Sequence, residues 1–269
     1  MKSDTGKAYT PQSNGLFSRL FYLAASLLIG VLLWHAATLV FGLPAFILPG
    51  PGQVWRRFLQ SLTEGQLQQH ALTTLFEVLA GLLIGGLAAT SLGYLLAKSA
   101  LLEKLLSPYL VASQSLPVVA IAPLLIIWFG PGIFSKILIC SLTVFFPILI
   151  NTVVGLREVP NDLRDLMRTL KASSTQTLWK LEVPAALPIY MGGLRVGATL
   201  SVIGAVVGEL VGSDRGLGFL INIGRGQYDT ALVFVAIFTL VFIAVALYGL
   251  VLLIERQFLS WQSWRQNAR

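Results

Sequence analysis

Residues 161–184 read NDLRDLMRTLKASSTQTLWKLEVP, a polar, amphipathic interruption in a chain that is otherwise apolar. The stretch carries Arg164, Arg168, Lys171 and Lys180 against Asp162, Asp165 and Glu182, with Glu158 just upstream. The pattern predicts two short helices meeting at a tip. Pro160 ends whatever precedes it, and Asn161 or Asp162 can cap the free N–H groups of the first helix. Leu163, Leu166, Met167 and Leu170 fall on one face of that helix. Ser173, with Gln176 three residues on, fits a capping box for a second helix over 175–181, which Pro184 and Pro188 close.

The surroundings of this stretch are those of a membrane protein. Of 269 residues, 55% are hydrophobic and only 12% charged, far from the soluble globular range. The net charge of +7 does not signal nucleic acid, because the basic residues lie scattered in short loops. Cys140 is the only cysteine and sits inside an apolar run, so neither a disulfide nor a cysteine metal site is available. His35 and His70 are too few for a histidine cluster. The first apolar run is too long for a cleaved signal and reads as a retained span.

An all-α, polytopic fold with six transmembrane helices follows, with spans near 17–41, 71–97, 108–129, 134–156, 188–212 and 230–254. The expected organisation is a flexible tail over 1–15, a membrane domain over 16–260 that contains the 161–184 loop, and a second tail over 261–269 with Trp261 and Trp264. Pro108, Pro117 and Pro123 must kink or break the third span, and broken helices are tolerated only inside protein or beside a cavity. That puts Pro117 on the path or the dimer face. Gly81 and Gly85 form a close-contact pair in the second span. In the fifth, Gly193, Gly197, Ser201, Gly204 and Gly208 fall within roughly 80° of one another, a seam of small residues.

The loops predicted on one side, including the tails and 161–184, hold thirteen of the nineteen Lys and Arg residues, and those on the other side hold five. The excess predicts that both termini and the 161–184 loop are cytosolic. A polar helix–tip–helix between two spans, on that side, is a docking surface for a soluble partner.

Glu77, Arg195 and Glu209 stand out as ionisable residues within predicted spans. Arg195 and Glu209 are about 21 Å apart along one helix and cannot pair within a subunit. Arg195 is expected to snorkel to the headgroups. Glu209, after Gly208, either gates the outer mouth or bonds the N–H groups of a neighbouring loop. There is no P-loop, no H-E-x-x-H and no G-x-S-x-G, and no nucleophile beside a base, so enzyme function has no support. A self-sufficient secondary transporter or channel, using Glu77 and Glu209, is the competing class. The two halves of the chain show no matching pair of interrupted helices, as such a transporter would.

The 161–184 stretch resembles the "EAA" loop of permease subunits of bacterial ABC importers, E-A-A-x3-G-x9-I-x-L-P. Asp165, Leu166 and Met167 stand for E-A-A, Lys171 for Gly, Leu181 for Ile, and Val183-Pro184 for L-P. A Lys in the left-handed conformation that the family's Gly serves would cost roughly 1 kcal/mol, so the tip is expected to be reshaped. The runs VASQSLP (111–117), APLLIIWFG (122–130), AVVGELVG (205–212) and GLGFLI (216–221) are similar to permeases of the nitrate/sulfonate/taurine and thiamine-pyrimidine/riboflavin group. Glu77, SQSLP and Asp229-Thr230 look more like the vitamin-precursor branch. The resemblance implies a homodimer in the bacterial inner membrane, surrounded by lipid. It also implies two ATP-binding subunits that hold the ATP and Mg, so no cofactor in this chain, and an extracytoplasmic substrate-binding protein. Asp165, Leu166, Met167, Lys171, Ala172, Ser173, Leu181 and Pro184 would then dock the ATPase, with Pro117, Gly208 and Glu209 at the path or gate.

Overall fold

The computed structural model describes residues 16–114 and 117–259. The tails expected at 1–15 and 261–269 lie outside the described residues, as do Ser115 and Leu116 of the 111–117 run. Every regular element among the described residues is a helix.

The first span is α1, Leu16–Val40, and the amphipathic piece after it is α2, Pro51–Thr63. Pro51 suits the first turn, where its missing N–H would have no partner anyway. The Gly50 N–H donates to Gln53 Oε1 at 3.1 Å. Gly65, at φ 75, turns the chain into α3, Gln66–Lys98. The proline-rich third span is two helices, α4 (Ala100–Gln114) and α5 (Val118–Phe129), the second starting directly after Pro117. Then follow α6, Ile133–Arg157, and α7, Asn161–Thr169. The short α8, Ser174–Thr177, leads through a π-helical turn at Leu178–Glu182 into α9, Val183–Gly212. The loop expected at 213–229 contains α10, Leu217–Gly226, and α11 closes the described chain at Thr230–Phe258.

Two local expectations are corrected. Neither Asn161 nor Asp162 caps α7; Pro160 is the N-cap residue, and its carbonyl accepts the Arg164 N–H at 3.4 Å. Pro184 and Pro188 do not close the second helix, because the helical path is continuous over the 39 residues Ser174–Gly212. Val183 donates its N–H five residues back, to Leu178. This wider turn precedes Pro184, whose ring excludes an ordinary bond to the carbonyl four residues back.

Gln66–Lys98, Ile133–Arg157, Ser174–Gly212 and Thr230–Phe258 are long and apolar enough to cross a membrane, and Ala24–Val40 and Val118–Phe129 are shorter apolar helices. Together they account for the six predicted hydrophobic segments. The surface is apolar, and the interior, largely aliphatic, also holds polar side chains. Leu72, Leu83, Phe242 and Val245 face outwards, whereas Thr74, Ser141, Ser201 and Glu209 are buried. Such an outside is stable against lipid rather than water.

At the centre, α6 is sandwiched between α3 and α9. Both neighbours meet it through glycine. A Cβ on Gly85 of α3 would sit 2.5 Å from the Ser141 carbonyl, and one on Gly93 would sit 2.8 Å from Thr152. On α9, a Cβ on Gly193 would lie 2.6 Å from Asn151, and one on Gly204 would lie 3.0 Å from the Cys140 Cα. The helices are therefore in near-backbone contact, where dispersion and polar bonds substitute for a hydrophobic effect that lipid does not supply.

Candidate functional site

At one end of the bundle, α7 projects from it. None of its residues is buried, and Leu163, Leu166 and Leu170 of the predicted stripe are exposed, Leu170 to 67%. Met167 is half-buried. Asp165 pairs with Arg168 at 3.0 Å on the outer face. An apolar stripe left open beside charges is a surface suited to another protein.

The tip is a helix stop of defined geometry. Lys171 has φ 53, in the left-handed region. Its N–H bonds the Arg168 carbonyl at 2.9 Å, and the Ala172 N–H reaches the Met167 carbonyl at 3.0 Å. This is a Schellman motif, with Lys in the position that glycine usually fills. The expectation of a reshaped tip is thus corrected, because two carbonyls satisfied by the motif offset the strain on Lys171. Ser173 and Gln176 then form the predicted capping box, with Ser173 N–H to Gln176 Oε1 at 2.8 Å and Gln176 N–H to Ser173 Oγ at 3.2 Å. Leu181 and Pro184 are half-buried on the rising helix, behind the tip.

At the opposite end, Glu209 is fully buried. Its carboxylate accepts from Thr74 Oγ1 at 2.6 Å and from the Gly218 N–H at 2.6 Å. Thr74 in turn accepts the Leu217 N–H at 2.8 Å, and His70 Nδ1 accepts the Gly216 N–H at 2.9 Å. Three side chains on α3 and α9 thus serve the free amides at the start of α10. Of the two readings of Glu209, this geometry is the bonding of a neighbouring loop. Glu77 is also fully buried, its carboxyl beside that of Glu209.

Gly208 lies against Lys136 and Ile139 of α6, so Gly208 and Glu209 face the helix interior and not an open groove. Pro117 is exposed, beside a groove of about 440 Å³ between the broken third span and α6, lined by Ser113, Val118, Thr143, Phe146 and Pro147 among others. Arg195 forms an ion pair with Glu255 of α11, Nε to Oε2 at 3.2 Å. The sequence marked Arg195 as unusual, but a partner sixty residues away on another helix leaves no local trace.

Residues 81–260 match the family described as the binding-protein-dependent transport system inner membrane component. The chain belongs to this family. It is a multi-pass permease subunit of an ABC importer, not an enzyme, and such subunits bind no cofactor of their own. The riboflavin transport system permease protein RibX of Chloroflexus aurantiacus is 47% identical over 241 residues, covering 90% of each chain. The formylaminopyrimidine transport permease protein ThiX of Halalkalibacterium halodurans is 34% identical over 232 residues, 86% of this chain and 92% of that one. The taurine transport system permease protein TauC of Escherichia coli is 30% identical over 233 residues, 85% of this chain and 84% of that one. A solved structure of the MetNI methionine ABC transporter in inward-facing conformations shares the fold, with a TM-score of 0.63 over 71% of this chain and 95% of that chain at 20% identity.

Proposed function

We propose that two copies of this chain form the membrane path of an importer for a vitamin or vitamin precursor of the riboflavin and thiamine-pyrimidine kind. Two cytosolic ATPases, carrying the ATP and Mg, would dock on α7, and an extracytoplasmic binding protein would deliver the solute. Asp165, Leu166, Met167, Lys171, Ala172 and Ser173 form the docking tip, backed by Leu181 and Pro184. Both termini and the α7 end are cytosolic, in keeping with the excess of Lys and Arg in those loops. The membrane domain spans 16–260, with tails over 1–15 and 261–269. Pro117 and the groove beside it are the stronger candidates for the path, and the buried Gly208 and Glu209 hold the far end shut.

The observation that carries the docking reading is the open apolar stripe of α7, which no other helix covers. The preference for a vitamin solute rests on the identity with RibX over nine-tenths of both chains. The test is affinity purification from native membranes with mass spectrometry of what accompanies the chain. The expected result is an ATPase and a binding protein, the latter binding riboflavin or an aminopyrimidine. A binding protein that takes only taurine, sulfonates or nitrate would move the substrate to the other branch. A chain that purified alone and moved solute without ATP would sink the importer reading.

A further inference from the structure

The base of α7 carries an ionic cluster around one buried carboxylate, which the docking surface does not use. Glu182, the last residue of the π-helical turn, is 1% exposed. Its Oε1 lies 2.6 Å from Lys98 Nζ, at the end of α3, and 3.7 Å from Arg164 Nε on α7. Arg164 also donates from Nη2 to the Leu156 carbonyl at 2.7 Å, one of the free carbonyls that end α6. The ends of α3, α6, α7 and α9 therefore meet at one carboxylate and one guanidinium. The Lys98 ammonium sits 5.7 Å above the Tyr94 ring, which keeps its stem against α3.

The rest of α7 gives this cluster its weight. The helix buries no residue and packs only lightly on its neighbours. Besides its two chain junctions, the polar links from α7 to the bundle among the described residues are those of Arg164. A force applied to its exposed stripe has no apolar interface through which to spread. The tie is also ionic, and charge pairs can exchange partners where interlocked side chains cannot. The π-helical turn beneath Glu182 is a second local irregularity at the same point, of the kind that concentrates at moving or functional sites.

We infer that Lys98, Arg164 and Glu182 are positioning residues that form an ionic knot, through which a displacement of α7 reaches α3 and α9 together. This rests on α7 being the helix on which the ATPase docks. Without the knot, the ATPase would still bind the exposed stripe and hydrolyse ATP, but its closure would move α7 alone.

The test uses the complex purified from native membranes with its ATPase, in nanodiscs. A Gln227→Cys variant carries an environment-sensitive fluorophore at the exposed α10–α11 corner, while the fully buried Cys140 is out of reach of the reagent. In this background ATP should shift the fluorescence. R164Q and K98M should each cut that shift about tenfold, the size of an ordinary coupling between sites, with ATPase still bound and ATP still hydrolysed. R164K should keep most of the shift, and the double variant R164Q/K98M should lose no more than either single one. Lys98 is partly exposed but its partner Glu182 is buried, so K98M is run beside K98M/E182Q, which leaves no lone buried charge and should lose the shift equally. A full shift in K98M and R164Q, or losses that simply add, would overturn the knot. A background that binds no ATPase, or in which ATP shifts nothing, would overturn the docking reading itself and the knot with it.

Discussion

Glu209 holds the Gly218 amide at 2.6 Å, and this one bond fastens the start of α10 into the side of α9. The same carboxylate binds Thr74 on α3, so three elements share one side chain. Glu209→Ala would leave the buried Gly218 amide without an acceptor and Thr74 with only the His70 carbonyl at 3.2 Å, which should cost about 2 kcal/mol. Glu209→Gln keeps one acceptor oxygen and should cost less. Thermal unfolding of the detergent-purified chain checks this, and equal melting temperatures for Ala and wild type would refute it. Gly216→Ala should be as damaging as Glu209→Ala, since its Cβ would run into this carboxylate and its φ of 104 is foreign to L residues.

Neighbouring glycines of α3 should behave in opposite ways. A Cβ on Gly85 meets the Ser141 carbonyl, which is backbone and cannot yield, so Gly85→Ala should destabilise by roughly 2 kcal/mol. A Cβ on Gly86 would rest 3.6 Å from Ile148 Cδ1, an ordinary contact. Gly86→Ala should therefore be neutral or stabilise by up to about 1 kcal/mol, through helix propensity. Comparing the two melting temperatures decides it, and a Gly85→Ala variant as stable as Gly86→Ala would contradict the close α3–α6 approach.

Lys171 sits in the left-handed region, so Lys171→Gly should relieve strain of about 1 kcal/mol. Lys171→Val should open the tip, because a β-branched side chain tolerates that backbone worst. Hydrogen exchange at the Ala172 amide, which the motif protects, reports both. Protection should rise with Gly and fall with Val.

On the exposed stripe, Leu166→Asp should leave the melting temperature unchanged, since the side chain is 52% exposed. It should reduce the ATPase recovered with the chain about tenfold or more, as loss of an interface anchor does. Full recovery would remove Leu166 from the docking surface.

Glu103 and Arg157 join α4 to α6 through two hydrogen bonds of 2.5 Å. The bond to Arg157 holds the Glu103 carboxyl below its ordinary value of 4.5. A carboxyl lowered in the folded state adds stability above pH 4.5 and loses it as the pH falls through the folded value. Acidification below 4.5 should therefore cost the wild type more than an Arg157→Gln variant, and salt should narrow the gap. Parallel melting curves in acid would show that the pair contributes nothing.

Hydrophobic length and small-residue spacing made the architecture legible. The six apolar segments, the seam from Gly193 to Gly208 and the Ser173–Gln176 box are local patterns, and each has its counterpart in the structure. What escaped depends on contacts between distant segments. Glu255 as partner of Arg195, His70 as acceptor for Gly216, and Glu182 beneath α7 are ordinary residues until the helices are assembled. Glu182 did leave one trace, an acid at the threshold of a long apolar span. Pro184 and Pro188 misled for another reason. Proline is a reliable stop only where the chain has no way to widen, and the π-helical turn at Leu178–Glu182 provides one.

The glycine contacts on both faces of α6 fix what kind of motion the bundle allows. With Gly85 against the Ser141 carbonyl and Gly204 against the Cys140 backbone, sliding either neighbour by one residue would drive side chains into main chain. The trio α3, α6 and α9 must therefore turn as a single girder. The continuous helical path that runs through α9, Ser174–Gly212, is about 58 Å from end to end. A tilt of about 10° at the α7 end would swing the tip at Gly212 by roughly 10 Å over such a length. With the ATPase docked on α7 as proposed, the chain would be geared, a small stroke at one face becoming an opening the width of a solute at the other.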